Sequence, residues 1–275
     1  MTPAFLPGAA LLLSSFLAPT SGPIQDVPPF ANDLPEHSTG EPVLAFNGKD
    51  LSGFYSYLKD HKYEDPEGVF SIVDGEIRIS GEEWGGITTE EEFEDYHLIV
   101  EWRWGDETFA PRAERSRDSG ILLHCVGEDG AAGGQWMESV ECQIIEGGCG
   151  DFILVGGAGR PSLTCSVRED GGQLYFDPVD GSPETRDSAR FNWWGRDPEW
   201  EDVLGFRGAR DVEMPAGEWN RMEVICDGDR ITNIVNGYVV NVGTGSSLTK
   251  GKILLQSEGA ELFCRRFEVR PLTED

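Results

Sequence analysis

Basic residues are scarce in this sequence. Its 275 residues include 22 Lys and Arg against 50 Asp and Glu, which gives a formal net charge of −28. Nucleic acids and anionic lipid surfaces are bound by clustered Lys and Arg, so the charge argues against both classes of partner. A neutral ligand such as a sugar is compatible with it, and the acidity itself favours solubility.

Long helical patterns are missing as well. No stretch carries apolar residues at helical spacing for more than about two turns. The 35 Gly and 16 Pro favour turns instead. Short alternating runs dominate, such as "GVFSIVDGEIRISG", which predicts a hairpin around Asp74-Gly75. Many short strands separated by turn signals predict an all-β sandwich.

The cysteine pattern excludes two common kinds of site. No C-x-x-C occurs among the six cysteines, which argues against a zinc ribbon or a thioredoxin-like centre. An even number of cysteines is compatible with disulfides in an exported protein, and equally with buried thiols.

The longest apolar run lies near the N-terminus, from Ala4 to Ala18, and is too short to span a membrane comfortably. We interpret residues 1–22 as a signal peptide, which predicts export to the periplasm or the extracellular space, without membrane insertion of the mature chain. Residues 23–40 are rich in Pro, Asp and Ser and predict a flexible spacer. Residues 41–273 then form a single domain, with a long, tryptophan-bearing loop insertion at about 150–213.

The stretch "VECQIIEGG" combines a strand pattern with unexpected polarity. Alternation places Val140 and Cys142 on one face and Glu141 and Gln143 on the other. The polar face is either wet surface or the floor of a binding cleft.

Seven motifs together carry a family resemblance: "LAFNGKDLSGF", "SGILLHC", "ESVECQIIEGGCGDFILVGG", "NWWGRDPEW", "GFRGARDVE", "GEWNRMEVICDGDRITNIVNG" and "GKILLQSEGAELFCRRFEV". They resemble the 3-keto-disaccharide hydrolase family, also described as 3-keto-glucoside 1,2-lyase and 3-keto-2-hydroxy-glucal hydratase, over about residues 41–272. The resemblance implies a concanavalin-like jelly roll of two curved antiparallel sheets, with sugar bound on the concave face. Asp118 and His124 stand where the family usually has Asn and Arg.

The resemblance also implies an activity, which is cleavage of 3-keto glycosides or disaccharides. The carbonyl at C3 acidifies the C2 hydrogen, a base removes that proton, and the aglycone leaves from C1. Addition of water completes a net hydrolysis. The protein supplies a base, a donor to the enolate oxygen and an acid for the leaving group. No cofactor is required, although scattered carboxylates are compatible with a calcium ion.

Candidate site residues follow from this chemistry. Glu141 is the first catalytic candidate, and His124 is the second because its ordinary pKa suits proton transfer near neutrality. The candidates for substrate binding are Gln143, Arg103, Trp136, Trp194, Arg196, Asp197, Gln256 and Glu258. Each has a structural alternative, such as a solvated carboxylate, a hydrogen-bonded core histidine, an ion pair between Arg103 and Glu101, or tryptophans packed beneath the loop.

Two other functions remain open from sequence. A non-catalytic carbohydrate-binding module of the same fold needs the aromatic residues but not Glu141 or His124. An ordinary glycosidase needs two carboxylates across the cleft, for which Glu141 and Glu258 are the candidates.

Overall fold

A computed structural model describes residues 26–156 and 161–273. The predicted signal peptide lies outside the described residues. Within them, the chain forms two antiparallel sheets and a single 3-10 turn at Pro29–Asn32, with no α-helix. No helix in these ranges is long and apolar enough to cross a membrane.

The larger sheet has twelve strands: β1 (Ser38–Thr39), β2 (Leu44–Ala45), β4 (Phe70–Val73), β5 (Glu76–Ile79), β7 (Tyr96–Thr108), β11 (Leu163–Asp170), β12 (Gln173–Phe176), β13 (Ser182–Arg186), β15 (Asn220–Asp227), β16 (Arg230–Val235), β17 (Tyr238–Thr244) and β19 (Ala260–Thr273). Its main path runs β12-β11-β17-β16-β15-β7-β19-β5-β4, with β1 and β2 paired to β19 and β13 paired to β11.

The smaller sheet has seven strands: β3 (Phe54–Leu58), β6 (Gly85–Thr89), β8 (Asp118–Val126), β9 (Glu138–Ile145), β10 (Phe152–Val155), β14 (Arg190–Phe191) and β18 (Lys252–Ser257). Their order is β14-β10-β9-β8-β18-β6-β3. β8, β9 and β10 are consecutive in sequence, whereas the pairs β8–β18, β18–β6 and β10–β14 join strands that are distant in sequence, as expected of a jelly roll. The predicted all-β, concanavalin-like jelly-roll class is confirmed.

The core lies between the two sheets and is built by alternation. Trp102 and Trp104 of β7 enter it from the larger sheet, and Val140 and Cys142 of β9 enter it from the smaller one. The Cys142 thiol lies 3.5 Å from the sulfur of Met222 in β15, which joins the two layers. All six cysteines are buried and free of disulfide bonds.

Two predicted boundaries need correction. Residues 150–213 are not one irregular loop, because they contain β10 to β14, and the irregular path is confined to residues 192–219. In β11, Leu163, Cys165 and Val167 are buried while the residues between them are partly exposed. This alternation was hidden in the sequence by the dense acidic and glycine turns around it.

The predicted flexible spacer is also wrong for its described part. Ala31 is fully buried, and the ring of Phe30 packs edge-on against Phe176 and Trp194. β1 then pairs with β19, so this segment belongs to the domain. Val27, Phe30 and Ala31 dock the segment onto the core, whereas the sequence-based prediction rested on its content of Pro, Asp and Ser.

Candidate functional site

The outer face of the smaller sheet carries a group of polar side chains in adjacent strands. Leu122 of β8 lies opposite Glu141 of β9 and opposite Leu254 of β18. This register places Gln256 beside Gly120. Glu141 and Gln256 are buried although they face away from the core. The polar face identified in the sequence is therefore covered, and is not wet surface.

Gly120 makes room for this group. A Cβ atom at Gly120 would lie closer than 3.0 Å to Oε1 of both Glu141 and Gln256. The carboxyl and the amide therefore converge above the bare backbone of β8. A side chain at this position would drive one of them out of place, because a close-packed interior leaves no room to absorb such a shift.

Three carboxyl groups meet here, namely those of Asp118, Glu141 and Glu258. Burial raises the pKa of Glu141 to about 8, and the nearby Asp118 carboxylate adds to the effect. Burial raises the pKa of Asp118 to about 7, opposed by the positive charge of Arg112, whose Nη2 lies 2.9 Å from Oδ2 of Asp118. Burial and the other two carboxyls raise the pKa of Glu258 well above its ordinary value. Near neutral pH, Asp118 is thus the group that ionises first.

A cavity of about 350 Å³ opens beside Asp118. Its lining combines basic, acidic, amide and aromatic side chains: Arg112, Asp118, Ile145, Gln173, Tyr175, Arg190, Asn192, Arg196, Asp197, Pro198, Trp200 and Asp202. Three guanidinium groups at one cavity are notable in so acidic a chain. Each is paired with a carboxylate, Arg112 with Asp118 and Asp202, and both Arg190 and Arg196 with Asp151.

Asp151 anchors the segment that supplies two of these arginines. It is fully buried and accepts hydrogen bonds from Arg196, from Arg190 at 3.2 Å, and from the backbone N–H of Trp193 at 2.7 Å. The guanidinium of Arg196 also lies 4.3 Å from the ring centroid of Trp200. The positions of Arg190 and Arg196 are therefore fixed before any ligand arrives.

Several buried polar atoms at this site have no hydrogen-bond partner within the described residues. They are Oδ1 of Asp118, Oε1 of Glu141, both amide atoms of Gln256, and Oδ1 of Asn192. Buried polar groups are normally satisfied, so such a concentration indicates a place where a polar ligand completes the hydrogen bonds. A sugar hydroxyl group can donate to the carboxylate and amide oxygens or accept from the amide N–H of Gln256, and a sugar carbonyl group can accept from that N–H.

Most of the predicted residues come together at this face. Glu141 and Glu258 belong to the cluster of three carboxyl groups, and Gln256 lies beside it. Arg196 and Asp197 line the cavity. Gln143 lies opposite Gly120 in the sheet register, and its Oε1 accepts the N–H of Ile144 at 2.9 Å. Trp136 lies further along the same face, where its ring stacks on that of Trp84.

His124 is not brought to this site. The pairing register between β8 and β9 shifts between Leu123 and Val126, which marks a β-bulge, and the φ of His124 within it is 51°. The bulge turns the ring of His124 away from the outer face. Its Nδ1 lies 2.9 Å from the carbonyl oxygen of Leu248, and the ring packs against Tyr96. Burial lowers the pKa of His124 to about 4. The prediction of a catalytic role for it is therefore corrected to a structural one.

Arg103 and Trp194 are also elsewhere. Arg103 belongs to β7 of the larger sheet, and it pairs with Glu76 at 3.1 Å rather than with Glu101. Trp194 is buried in the core, where its indole N–H donates to the carbonyl of Val239 at 2.9 Å. Trp200, which was not among the predicted site residues, lines the cavity.

Sequence reasoning missed Asp118, Arg112 and Arg190 as site residues. The only feature of Asp118 noted in the sequence is that it stands where the family usually has Asn. The two arginines come from a loop and a two-residue strand that are far from β9 in sequence. No local pattern marks them, since only the fold brings them to the cavity. No group of three or more His, Cys, Asp and Glu that could hold a metal occurs in the described ranges.

We expect His124→Asn to lower stability without changing turnover. Asn tolerates the positive φ, but it loses the ring packing against Tyr96, at a cost of about 2–4 kcal/mol. Urea unfolding and steady-state kinetics of the purified variant measure the two effects separately. A loss of turnover in the folded variant would show that His124 has a catalytic role after all.

The family can now be identified. A family model described as 3-keto-alpha-glucoside-1,2-lyase-like domain matches residues 41–270. The chain belongs to this family. The resemblance found in the sequence is confirmed, and membership supports a carbohydrate-active role. The match begins just after the docked N-terminal segment. It includes Asp118, Glu141 and Glu258 and every residue that lines the cavity.

Several solved structures are similar to this lyase-like domain at low sequence identity. A protein of Parabacteroides distasonis ATCC 8503, provisionally named a glycosyl hydrolase, is 21% identical, with 83% of this chain and 98% of that chain covered and a TM-score of 0.47. A Bacillus subtilis protein of unknown function with a galectin-like fold is 13% identical, with 87% and 100% covered and a TM-score of 0.49. A beta-glucanase of Bacillus licheniformis is 11% identical, with 84% and 98% covered and a TM-score of 0.41. No match was found among curated proteins.

Proposed function

We propose that this protein cleaves 3-keto glycosides by proton abstraction at C2, elimination at C1 and addition of water. The observation that carries the proposal is the burial of Asp118 and Glu141, together with the half-buried Glu258, beside a cavity lined by three arginines. Titratable groups with displaced pKa values in a cleft are typical of acid–base sites. Membership in the lyase-like family supports the substrate class.

Asp118 is the base in this proposal. It lines the cavity, and Arg112 favours its ionised form, so it is the first of the three carboxyls to carry a charge. It accepts the C2 proton, and the electron pair of that C–H bond moves to form the enolate of the C3 carbonyl. The guanidinium groups of Arg112 and Arg190 line the same cavity and stabilise the negative charge on the enolate oxygen.

Glu141 is the acid. Its pKa of about 8 keeps it protonated at neutral pH, and the charge on Asp118 reinforces this. As the C1–O bond breaks, Glu141 gives its proton to the departing aglycone oxygen, and a double bond forms between C1 and C2. Water then adds its oxygen to C1 and gives one proton to Glu141, while C2 regains a proton from Asp118. The two carboxyls end the cycle in their starting states.

The test is turnover of a 3-keto glucoside and of its unoxidised parent by the purified chain. Ultraviolet absorbance reports the conjugated enone, and mass spectrometry reports the released aglycone. We expect cleavage of the keto form alone, because only its C2 hydrogen is acidic enough for a carboxylate base. Cleavage of the parent would identify an ordinary glycosidase. Sugar binding without any cleavage would identify a carbohydrate-binding module.

We further propose that the protein acts outside the cytoplasm, on the strength of the apolar run at residues 4–18. Fractionation of cells expressing the full chain, with N-terminal sequencing of the mature form, tests this. Recovery of the intact chain in the cytoplasm would refute it.

A further inference from the structure

A second cavity, of about 240 Å³, lies on the other side of the loop that carries Arg112. Its lining is Lys59, Asp60, Glu82, Glu83, Trp84, Ala110 and Pro111. Ala110 and Pro111 directly precede Arg112, which lines the first cavity. The two cavities are therefore neighbours, separated by one short turn. The catalytic steps proposed above make no use of the second one.

The end of the β6–β18 ladder brings Trp84 close to Glu258. Ser257 of β18 and Gly85 of β6 form its last pair, and Glu258 directly follows the first of these while Trp84 directly precedes the second. The hydroxyl of Ser257 donates to the carbonyl of Glu83 at 2.7 Å, which holds the chain around Trp84 beside the end of β18. Alternation from Gly86, on the outer face, puts Trp84 on that face as well.

Trp84 belongs to an aromatic surface. Its ring lies 5.8 Å from that of Trp136, at an interplanar angle of 17°. The indole N–H of Trp136 donates to the carbonyl of Gly85 at 3.3 Å, which fixes the ring across the sheet. Both indoles are partly exposed, and neither belongs to the main core between the sheets.

The surface continues toward β3. Tyr57 of that strand lies opposite Gly86, and its ring is 5.2 Å from that of Tyr63. Tyr63 is 63% exposed, and its hydroxyl donates to Asp129. Aromatic side chains therefore occur on this face of the sheet from the neighbourhood of Glu258 to the edge strand β3. Such faces stack on the apolar faces of sugar rings and bury a large area with little loss of side-chain entropy.

We propose that Trp84, Trp136 and Tyr63 bind the remote units of a neutral oligosaccharide whose reacting unit occupies the cavity beside Asp118. This rests on the proposed function and specifies its substrate class, which is a chain of three or more sugar units. Asp60 and Glu82 bind hydroxyl groups and repel anionic sugars, and the Lys59 ammonium group donates to ring or hydroxyl oxygens.

Calorimetric titration with unoxidised gluco-oligosaccharides of one to four units, in the α-1,4 and β-1,4 series, tests the proposal. We expect the four-unit ligand of one series to bind at least about tenfold tighter than glucose, as one or two stacking contacts provide. Trp84→Ala should remove most of this gain. Trp219→Ala is the matched control, because Trp219 stacks on Arg103 and Arg265 of the other sheet and should keep the gain.

Equal affinity for one and four units in both series would overturn the proposal, as would equal effects of Trp84→Ala and Trp219→Ala. Tyr63→Ala serves as a second variant, since its exposed ring is dispensable for folding and its loss should weaken only the longer ligands. The titration uses unoxidised sugars, so its outcome is independent of turnover. A length-dependent affinity without cleavage of any 3-keto glycoside would leave this subsite standing and refute the proposed reaction.

Discussion

Glu141→Gln is expected to lower kcat on a 3-keto glucoside at least about 100-fold, as loss of a general acid does. The amide keeps the shape of the protonated carboxyl and still donates hydrogen bonds, so the site should remain assembled. It has no transferable proton, so the aglycone must leave as an anion. KM should change little, since the variant keeps the contacts made to the bound substrate before reaction.

The same variant should be more stable than the wild type at alkaline pH. In the unfolded chain Glu141 ionises near its ordinary pKa of about 4.3, whereas in the fold it holds its proton to about pH 8. Between these values unfolding releases a proton, so the stability of the wild type falls as pH rises from about 4 to 8. Gln has no such dependence, so its stability relative to the wild type should be about 4 kcal/mol greater at pH 8 than at pH 4.

Urea unfolding at pH 4, 6 and 8, with kinetics at pH 7, measures both effects. Glu169→Gln is the matched control, because Glu169 is exposed on β11 of the other sheet and should alter neither property. Wild-type turnover in Glu141→Gln would remove it from the mechanism. A stability gain that does not grow with pH would show that Glu141 is not held protonated in the fold.

Asp118→Asn should reduce kcat by at least about 100-fold through loss of the base. The side chain keeps its shape, and Arg112 keeps a second partner in Asp202 at 3.1 Å, so the loop should stay in place. The substitution should also affect Glu141, the proposed acid. The charge of Asp118 helps to raise the pKa of Glu141, so its removal should lower the pKa of Glu141.

The pH profile of kcat/KM separates this assignment from a structural role, because it reports the pKa values of the free enzyme. In the wild type kcat/KM should rise as Asp118 ionises near pH 7 and fall as Glu141 loses its proton near pH 8. In Asp118→Asn the residual kcat/KM should lose the lower limb, and its upper limb should move to lower pH. Asp170→Asn, an exposed residue at the end of β11, should reproduce the wild-type profile. An unchanged profile in Asp118→Asn would transfer the role of base to Glu258.

Much of the fold was accessible from local pattern. Alternation in "VECQII" assigned Val140 and Cys142 to the core and left Glu141 and Gln143 on the opposite face, and the structure confirms both. Such a pattern predicts a face correctly because strand geometry has a fixed period of two. The pattern failed at His124, where an extra residue in β8 shifts the period and rotates the side chain. A bulge depends on pairing with the neighbouring strand, which a single run of sequence does not contain.

The tryptophans illustrate the same division. The sequence indicated that Trp194 and Trp200 are ordered, because disordered segments are poor in aromatic residues. It did not decide which ring packs and which lines a cavity. That depended on Val239 accepting the indole hydrogen bond of Trp194, and on Arg196 lying over Trp200. These partners come from separate parts of the chain.

By itself, the sequence determined the all-β class, the family and the acidic net charge, and it marked Glu141 as a polar residue on a core strand. These properties depend on composition, on motifs and on alternation within one strand. Only the tertiary structure decided that Asp118, Glu141 and Glu258 share one site with Arg112 and Arg190. The pairing of β8 with β18 and of β10 with β14 joins segments that are distant in sequence and places these residues together. Burial then changes the pKa values on which the proposed chemistry depends.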